Sequence, residues 1–464
     1  MVSKNRSWFF LALAVVLFGD SVLAQEIIDP QIKGVIQQSF HNNNTLKLKS
    51  LDVDKSVLEA EGVRSNKLPH VSATGVYGYM NATGGLDLPT LDIPILNMAL
   101  FEGVSDFKMS SQFLRAGVSV RQAIFTGLQI PNGEKALQEK TNAQRLLVDA
   151  SKETIAKEVI TSFDQVMLLG QVDKLIVDSE KRLLKEQLKV NKAIDNGLAI
   201  PYDRDKLKLA ILELEEKKIE LQGNRILLLE KIRQDTGVSL AELEQIVYEL
   251  LPILIDDMPL DVSERAELKA LDASGKAYEY LYKKEQGSYL PTVFAFGSAS
   301  YFNMFNSNLT LKDKPLVGDI DMKSNSLKLR PNLLLGVGVK WDIFTGGERK
   351  NKIQQVRIEQ LINDTKKNEA EEKLSLLLSK NKIQYDTNNQ KIKVGDQQLK
   401  VAENNLDIAS RQYAAGLIDI TEFLASENDW YKVNLAYYSN VIQQRSAAIE
   451  LLHTSGRLLY TINN

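Results

Sequence analysis

One unit of pattern occurs twice in this chain, and that repetition constrains the fold more than anything else. From Leu333 to Gly347 the residues alternate for about twelve positions and then break at a glycine pair. Leu333, Leu335, Val337, Val339, Trp341 and Ile343 fall on one side; Leu334, Gly336, Gly338, Lys340, Asp342 and Phe344 fall on the other. A period of two with one apolar face predicts a half-buried strand. Leu114 to Gly127 repeats the design, with Leu114, Ala116, Val118, Val120 and Ile124 as its apolar face. Phe125-Thr-Gly127 returns as Phe344-Thr-Gly346, an offset of 219 shared by Gly197-Leu198 with Gly416-Leu417 and by Thr236-Gly237 with Ser455-Gly456. Upstream, Leu46-Lys47 and Leu68-Pro69 return as Leu268-Lys269 and Leu290-Pro291, at an offset of 222. The three-residue difference falls between Pro69 and Leu114. The chain reads as a tandem duplication.

Each copy is expected to contain five parts. A helix comes first, about Pro30 to Asn66 or Ser263 to Gly287. Leu-Pro then ends it and opens a strand, because proline stops a helical run and fits a strand's first position. These strands are Val71 to Met80 and Thr292 to Phe302, followed by polar loops, Asn81 to Gln112 and Asn303 to Arg330. The second strand and its Phe-Thr-Gly turn lead into a long helix. Between Gly127 and Gly197 no proline follows Pro131, and between Gly346 and Gly416 there is none. Seventy helical residues would reach roughly 100 Å. A pattern that long points to a coiled coil, a membrane span or a helical repeat, and its frequent Lys, Glu, Gln and Asn exclude the span. Glycine at a helix end suits the left-handed C′ position, so Gly197 and Gly416 mark tips. Asp203 and Thr421 are the expected N-caps of the return helices. Leu207, Ile211, Leu214, Leu221, Leu228 and Ile232 form a heptad-like seam on the first of these.

Composition sets the outer bounds. The 464 residues suit two copies of one unit, joined by a proline-marked linker. The expected boundaries are 1–24 for a secretory signal, 25–237 for the first repeat, 238–262 for the linker and 263–464 for the second repeat. Lys4 and Arg6, the apolar run Trp8 to Phe18 and a small-residue site ending at Ala24 carry the signal. Absence of cysteine excludes disulfides, thiolate metal sites, cysteine nucleophiles and a lipidated N-terminal cysteine. Without Lys4, Arg6 and Asp20, 55 basic residues face 59 acidic ones, a balance with no nucleic-acid signature. His41, His70 and His453 are far apart in sequence, so neither a metal site nor a cofactor is expected.

Two hairpins per chain do not make a stable sheet alone, and their edges would be exposed. At about 3.3 Å per residue, Leu114 to Phe125 extends roughly 40 Å, enough to cross a bilayer on a tilted path. Strands cross lipid only in closed barrels. Four strands per chain are too few to close one, so subunits must pool them. Three chains would supply twelve; four chains would close as well.

The duplicated Leu-Pro strand entry, the strand ending in Phe-Thr-Gly, the Gly-Leu tip and the closing Thr-Gly or Ser-Gly resemble the TolC-like outer-membrane efflux protein family over nearly all of the mature sequence. That resemblance implies a mixed, mainly α fold with membrane β structure. The duplicated unit would give a shared trimeric twelve-stranded β-barrel continuous with a long periplasmic α-helical barrel. It implies a homotrimer in the outer membrane of a Gram-negative bacterium, in contact with outer-membrane lipid. Its partners would be a periplasmic adaptor (membrane fusion protein) and an inner-membrane pump of resistance-nodulation-division, ABC or other type. The implied role is an exit duct of a tripartite efflux or secretion system; it implies no enzyme and no cofactor.

Residue roles follow where motif positions match. Gly197, Leu198, Ile200, Pro201, Gly416, Leu417, Ile420 and Thr421 lie at the tips, where family members meet the adaptor; the plainer reading is that they only turn the chain. Asp407 lies nine residues before Gly416, where family members narrow the channel with acidic side chains; the plainer reading is a solvated helix face. Ser410, one turn on, supplies no second acidic ring. Phe125, Trp341 and Phe344 end the membrane strands, as a girdle at the membrane interface or as packing against the helices.

Catalytic readings find little support. Phe344 to Gly347 joins a strand to a helix but lacks both the dinucleotide fingerprint and a Gly-Lys-Ser/Thr ending. The alternative in another class is a periplasmic coiled-coil adaptor or structural spacer. Adaptors carry helical hairpins and signal sequences, yet usually a single hairpin without duplication.

Overall fold

The computed structural model describes residues 28–463 apart from 88, 96, 97, 102, 256–259 and 315–317. The expected signal, residues 1–24, lies outside the described residues. In chain order the elements are α1 (Pro30–Asn42), α2 (Asn44–Ser65), β1 (His70–Asp87), β2 (Leu91–Ile93), β3 (Met98–Phe101), β4 (Val104–Thr126), α3 (Gln129–Asp195), α4 (Pro201–Thr236), α5 (Leu240–Gln245), α6 (Ala266–Gly287), β5 (Thr292–Lys314), β6 (Gly318–Lys340), α7 (Glu348–Ala414), α8 (Ile420–Thr454) and α9 (Leu458–Asn463). The elements recur at the offsets of the sequence motifs. Helices α2 and α6 are both 22 residues long and start 222 apart; α3 and α7 are both 67 residues long and start 219 apart. No helix among the described residues is long and apolar enough to cross a membrane.

Contacts divide the chain into two compact units that cut across the repeats. One comprises Thr45–Ser151 and Ser263–Lys373; the other comprises Lys152–Val262, Leu374–Asn464 and the residues up to Asn44. Helices α3 and α7 contribute residues to both.

The first unit holds a four-stranded sheet in the order β1-β4-β5-β6, every neighbouring pair antiparallel. Register assigns its faces. Val71 lies opposite Val120, Val118 opposite Ala299, and Ala299 opposite Leu333. That face also carries Ala73, Ala295, Leu335, Val337 and Val339. The other face carries Ser72, Thr74, Arg115, Ser119, Arg121, Ser298, Ser300 and Lys340. Here Phe296 and Phe294 lie opposite Gly336 and Gly338, and a Cβ on either glycine would collide with the ring. Glycine is required so that each ring can lie flat across the neighbouring strand.

The expected polar loops are mostly strand. Pairing runs without a break from His70–Arg121 to Asp87–Val104, and β5 and β6 pair as far as Lys314–Gly318. In the second hairpin the alternation changes phase. Asn306, with φ 52, sits where the β4–β5 register skips a residue; Pro331 lies where the β5–β6 register shifts. A bulge tolerates a proline because no ladder hydrogen bond is asked of its nitrogen. Beyond these bulges Ser111 and Ser307 share a face through a 2.7 Å hydroxyl contact. Phe107, Met109, Leu309 and Leu311 then continue the face of the arginines, while Lys108, Thr310 and Asp321 continue the other. Thr310 donates to Asp321 at 2.5 Å on that polar side. Polarity therefore changes sides part way along the sheet.

Small residues let α3 and α6 approach closely in this unit, where Ala143, Ala270 and Ala273 are buried together. The hydroxyls of Ser56 and Thr141 meet at 2.9 Å between α2 and α3, and Lys367 pairs with Asp272 at 2.6 Å between α7 and α6. Residues 30–66 are two helices, not the one expected. Asn43 adopts an extended conformation, and its N–H bonds back to Ser39 O.

In the second unit Leu207, Leu214, Leu221, Phe423 and Tyr431 form a buried core. The expected seam on α4 shifts at its far end: Leu229 is buried and Leu228 is not. The linker after Val238 forms α5 and then an extended segment pinned by polar groups. Gln444 accepts the Ile253 N–H at 2.9 Å and donates to its carbonyl at 2.7 Å. Tyr385 Oη donates to the Ile253 carbonyl and accepts the Ile255 N–H. Arg445 donates to Leu251 O and pairs with buried Asp164 at 2.8 Å. Tyr248 donates to the same carboxylate at 2.5 Å; burial first, then Asp164, pushes its phenol far above the ordinary range.

Candidate functional site

The two tips are built alike. Helix α3 closes with Gly197 N–H bonded to Ile194 O and Leu198 N–H bonded to Ala193 O; α7 closes with Gly416 to Tyr413 and Leu417 to Gln412. This is the paired Schellman closure, and Gly197 (φ 71) and Gly416 (φ 73) take the left-handed position that it needs. The closure throws the next residue outward. Leu198 is 82% exposed and Leu417 74% exposed. Ile200, Pro201 and Thr421 are exposed as well.

Ile420 is different and corrects the expectation of a uniformly exposed tip. It is 3% exposed and belongs to the core with Leu207, Leu406 and Phe423. One position after its helix cap, the first turn of α8 points it inward, so it supports the tip and presents no surface. The caps also differ from expectation. Asp419 caps α8, accepting the Thr421 and Glu422 N–H groups at 2.7 and 3.0 Å. Ile200 holds the N-cap position of α4 without a side-chain bond, with Pro201 next, so Asp203 lies inside the first turn. The proline supplies no N–H to be capped.

Cross-links tie the tip together. Lys206 Nζ donates to Thr421 Oγ1 at 2.6 Å and lies 4.4 Å from the Tyr202 ring centre. Deeper in the same unit Arg182 forks onto Glu427, with contacts of 2.7 to 3.1 Å, and its guanidinium lies over Trp430. Glu427 is buried, and this fork neutralises it. None of these partners was anticipated; Lys and Arg at helical spacing read as ordinary solvated positions.

Asp407 lies exposed on α7, paired with Arg411 one turn on at 2.7 Å. The basic partner sits at the i+4 spacing and was legible in the sequence. Phe125 belongs to β4, but Trp341 and Phe344 lie beyond Lys340, where β6 ends. Trp341 Nε1 donates to Tyr289 O at 3.1 Å. Phe344 is 87% exposed. A second aromatic group went unnoticed: Tyr77 and Phe305 stack at 6.1 Å on the apolar face, with Tyr79 and Tyr301 nearby on the same face.

Comparison with known proteins fits this geometry. Residues 262–457 match the family model described as outer membrane efflux protein. No curated protein matches the sequence significantly. Among solved structures, a membrane protein from Pseudomonas aeruginosa is similar with a TM-score of 0.71 and 12% identity, covering 92% of this chain and 93% of its own. CusC, solved in a study of transmembrane channel formation, is similar at 0.69 and 12% identity, covering 95% of each chain. The Campylobacter jejuni outer membrane channel CmeC is similar at 0.68 and 11% identity, covering 93% of this chain and 87% of its own. At such identities the likeness is one of fold, and it extends over nearly the whole chain.

Proposed function

We propose that this chain, whose residues 262–457 match the outer membrane efflux protein model and whose fold resembles that of solved outer-membrane channels nearly throughout, is the exit duct of a tripartite efflux or secretion system. Three copies pool their four strands into a twelve-stranded barrel in the outer membrane. The paired 67-residue helices, each about 100 Å long, extend the duct across the periplasm. The two matching series of elements arise from tandem duplication. The tips, through Leu198, Ile200, Pro201, Leu417 and Thr421, receive a periplasmic adaptor that links the duct to an inner-membrane pump. Asp407 narrows the channel near that end.

One observation carries the reading. Up to the β5–β6 bulge one face of the sheet is apolar, with Asn303 and Lys328 on it only beyond that point; the opposite face carries arginines, and β1 and β6 are edge strands. From Val293 to Phe305, twelve steps of about 3.3 Å tilted by roughly 40° rise about 30 Å, the thickness of a bilayer's hydrocarbon core. Strands of 18 to 23 residues with open edges would aggregate in water. Closure with further copies in lipid removes the edges and gives each face its proper solvent. Phe125, Trp341 and Phe344 then mark one interface, and Tyr77, Tyr79, Tyr301 and Phe305 the other.

The test is to extract the outer-membrane fraction in detergent and image the particles while measuring their mass. Three-chain tubes with a barrel at one end are expected. A water-soluble monomer would overturn the reading and favour a periplasmic spacer.

A further inference from the structure

We propose that the inner wall of the barrel attracts anions through Arg115 and Arg121, and that the duct favours negatively charged cargo. The inference rests on the duct reading and names a cargo class for it.

Face polarity decides which way the arginines point. A single arginine against the middle of the lipid costs about 2–4 kcal/mol, and over Val71 to Gly75, Ala116 to Val120, Ala295 to Tyr301 and Leu333 to Val339 the opposite face carries no charge, Lys328 lying on it only beyond the β5–β6 bulge. The arginine face is therefore the lumen wall. Arg115 and Arg121 are both exposed and lie six residues apart on β4, roughly 20 Å along the strand. The register places Arg115 between Val76 and Phe302, and Arg121 between His70 and Phe296. Neither faces a carboxylate. Lys340, on the same face, is already paired with Asp342 at 3.3 Å.

Local surroundings strengthen the effect. The Arg121 guanidinium lies 4.1 Å from the Phe294 ring centre, held against the wall by an apolar, weakly screening neighbour. Beyond the bulges the inner face becomes apolar with Phe107, Met109, Leu309 and Leu311, so the wall charge is confined to the lipid-spanning section. A twelve-stranded barrel has a wall about 12 Å from its axis. Arginine side chains shorten that distance below the Debye length of about 10 Å at 0.1 M salt, so their potential reaches the axis. Two superposed rings of cations, one at each arginine level, act on any solute that passes.

The experiment uses the full chain in planar bilayers, with inositol hexakisphosphate added on the barrel side in 0.1 M KCl. The polyanion is expected to block current, and raising the salt to 1 M, where screening acts over about 3 Å, is expected to relieve the block. In Arg115→Gln/Arg121→Gln the blocking concentration should rise about tenfold or more, and Arg115→Lys/Arg121→Lys should restore it. Equal block in the glutamine variant, or equal block by an uncharged cyclodextrin, would overturn the inference while leaving the duct intact. If the wild-type chain forms no conducting pore, the duct reading itself falls, and this inference falls with it.

Discussion

Asp407 and Arg411 form an ion pair along one face of α7, with Arg411 Nη2 2.7 Å from Asp407 Oδ2. Both side chains are more than half exposed, so the pair does little for stability and instead sets the charge of that stretch of helix. If Asp407 narrows the duct, Arg411 offsets part of its field. Asp407→Ala is then expected to shift ion selectivity toward anions, and Arg411→Ala to shift it toward cations. Reversal potentials in a KCl gradient across a planar bilayer measure both. Unchanged potentials in both variants would leave Asp407 an ordinary solvated residue.

Leu417 and Ile420 separate contact from support at the tip. Leu417 is 74% exposed and Ile420 3% exposed. Leu417→Asp is expected to abolish export while trimers still assemble, because it alters an exposed residue of the proposed adaptor surface and no part of the core. Ile420→Ala should cost about 3 kcal/mol of tip stability through the cavity it leaves among Leu207, Leu406 and Phe423. Drug-susceptibility assays read the first, and hydrogen exchange of the first turn of α8 reads the second. Wild-type export in Leu417→Asp would remove the leucine from the adaptor contact.

Much of this architecture could be read from residue order alone, and the failures have physical causes. Leu333 to Val339 announced a strand because one face is apolar for its whole length. Asn81 to Gln112 did not, because polarity there is reversed; in Asn303 to Arg330 the phase also shifts at Asn306 and beside Pro331. A fixed period of two sees such a strand as noise. The glycines at 197 and 416 located both tips correctly, since few other residues take that backbone conformation. Ile420 was misplaced because exposure in a single turn depends on where the helix begins, and the cap proved to be Asp419 instead of Thr421. Arg182 and Glu427 are 245 positions apart in sequence. No local pattern pairs them.

Backbone strain differs between the two strand-to-helix turns. Gly127 (φ 62) and Leu128 (φ 61) correspond to Gly346 (φ 59) and Gly347 (φ 87), so both turns use two consecutive left-handed residues. Leu128 is the one that lacks glycine's freedom, and it is 55% exposed. Leu128→Gly is expected to be tolerated or to raise stability by up to about 1 kcal/mol. Gly127→Ala is expected to cost more than about 2 kcal/mol, because its Cβ would run into the Gly287 carbonyl oxygen. Thermal melting of the detergent-extracted assembly orders the variants. A melting point for Gly127→Ala equal to that of the wild type would show that the two glycines do not need their close approach.

The cap of α8 gives the tip a dependence on pH. Asp419 is held below its ordinary carboxylate range, chiefly by the Glu422 N–H it accepts, with help from Thr421 and from Lys206. A depressed folded-state pKa means that the cap contributes stability above the unfolded value, near 3.9, and loses it as pH falls through the lower folded value. Amide protection in the first turn of α8 should therefore drop below about pH 4 in the wild type. Asp419→Asn retains a side-chain acceptor that does not titrate, so its protection should stay flat over the same range. Asp419→Ala should show weak protection at every pH. A drop of equal size in Asp419→Asn would move the acid sensitivity to another carboxylate of the tip, with Glu422 in the same turn the first to test.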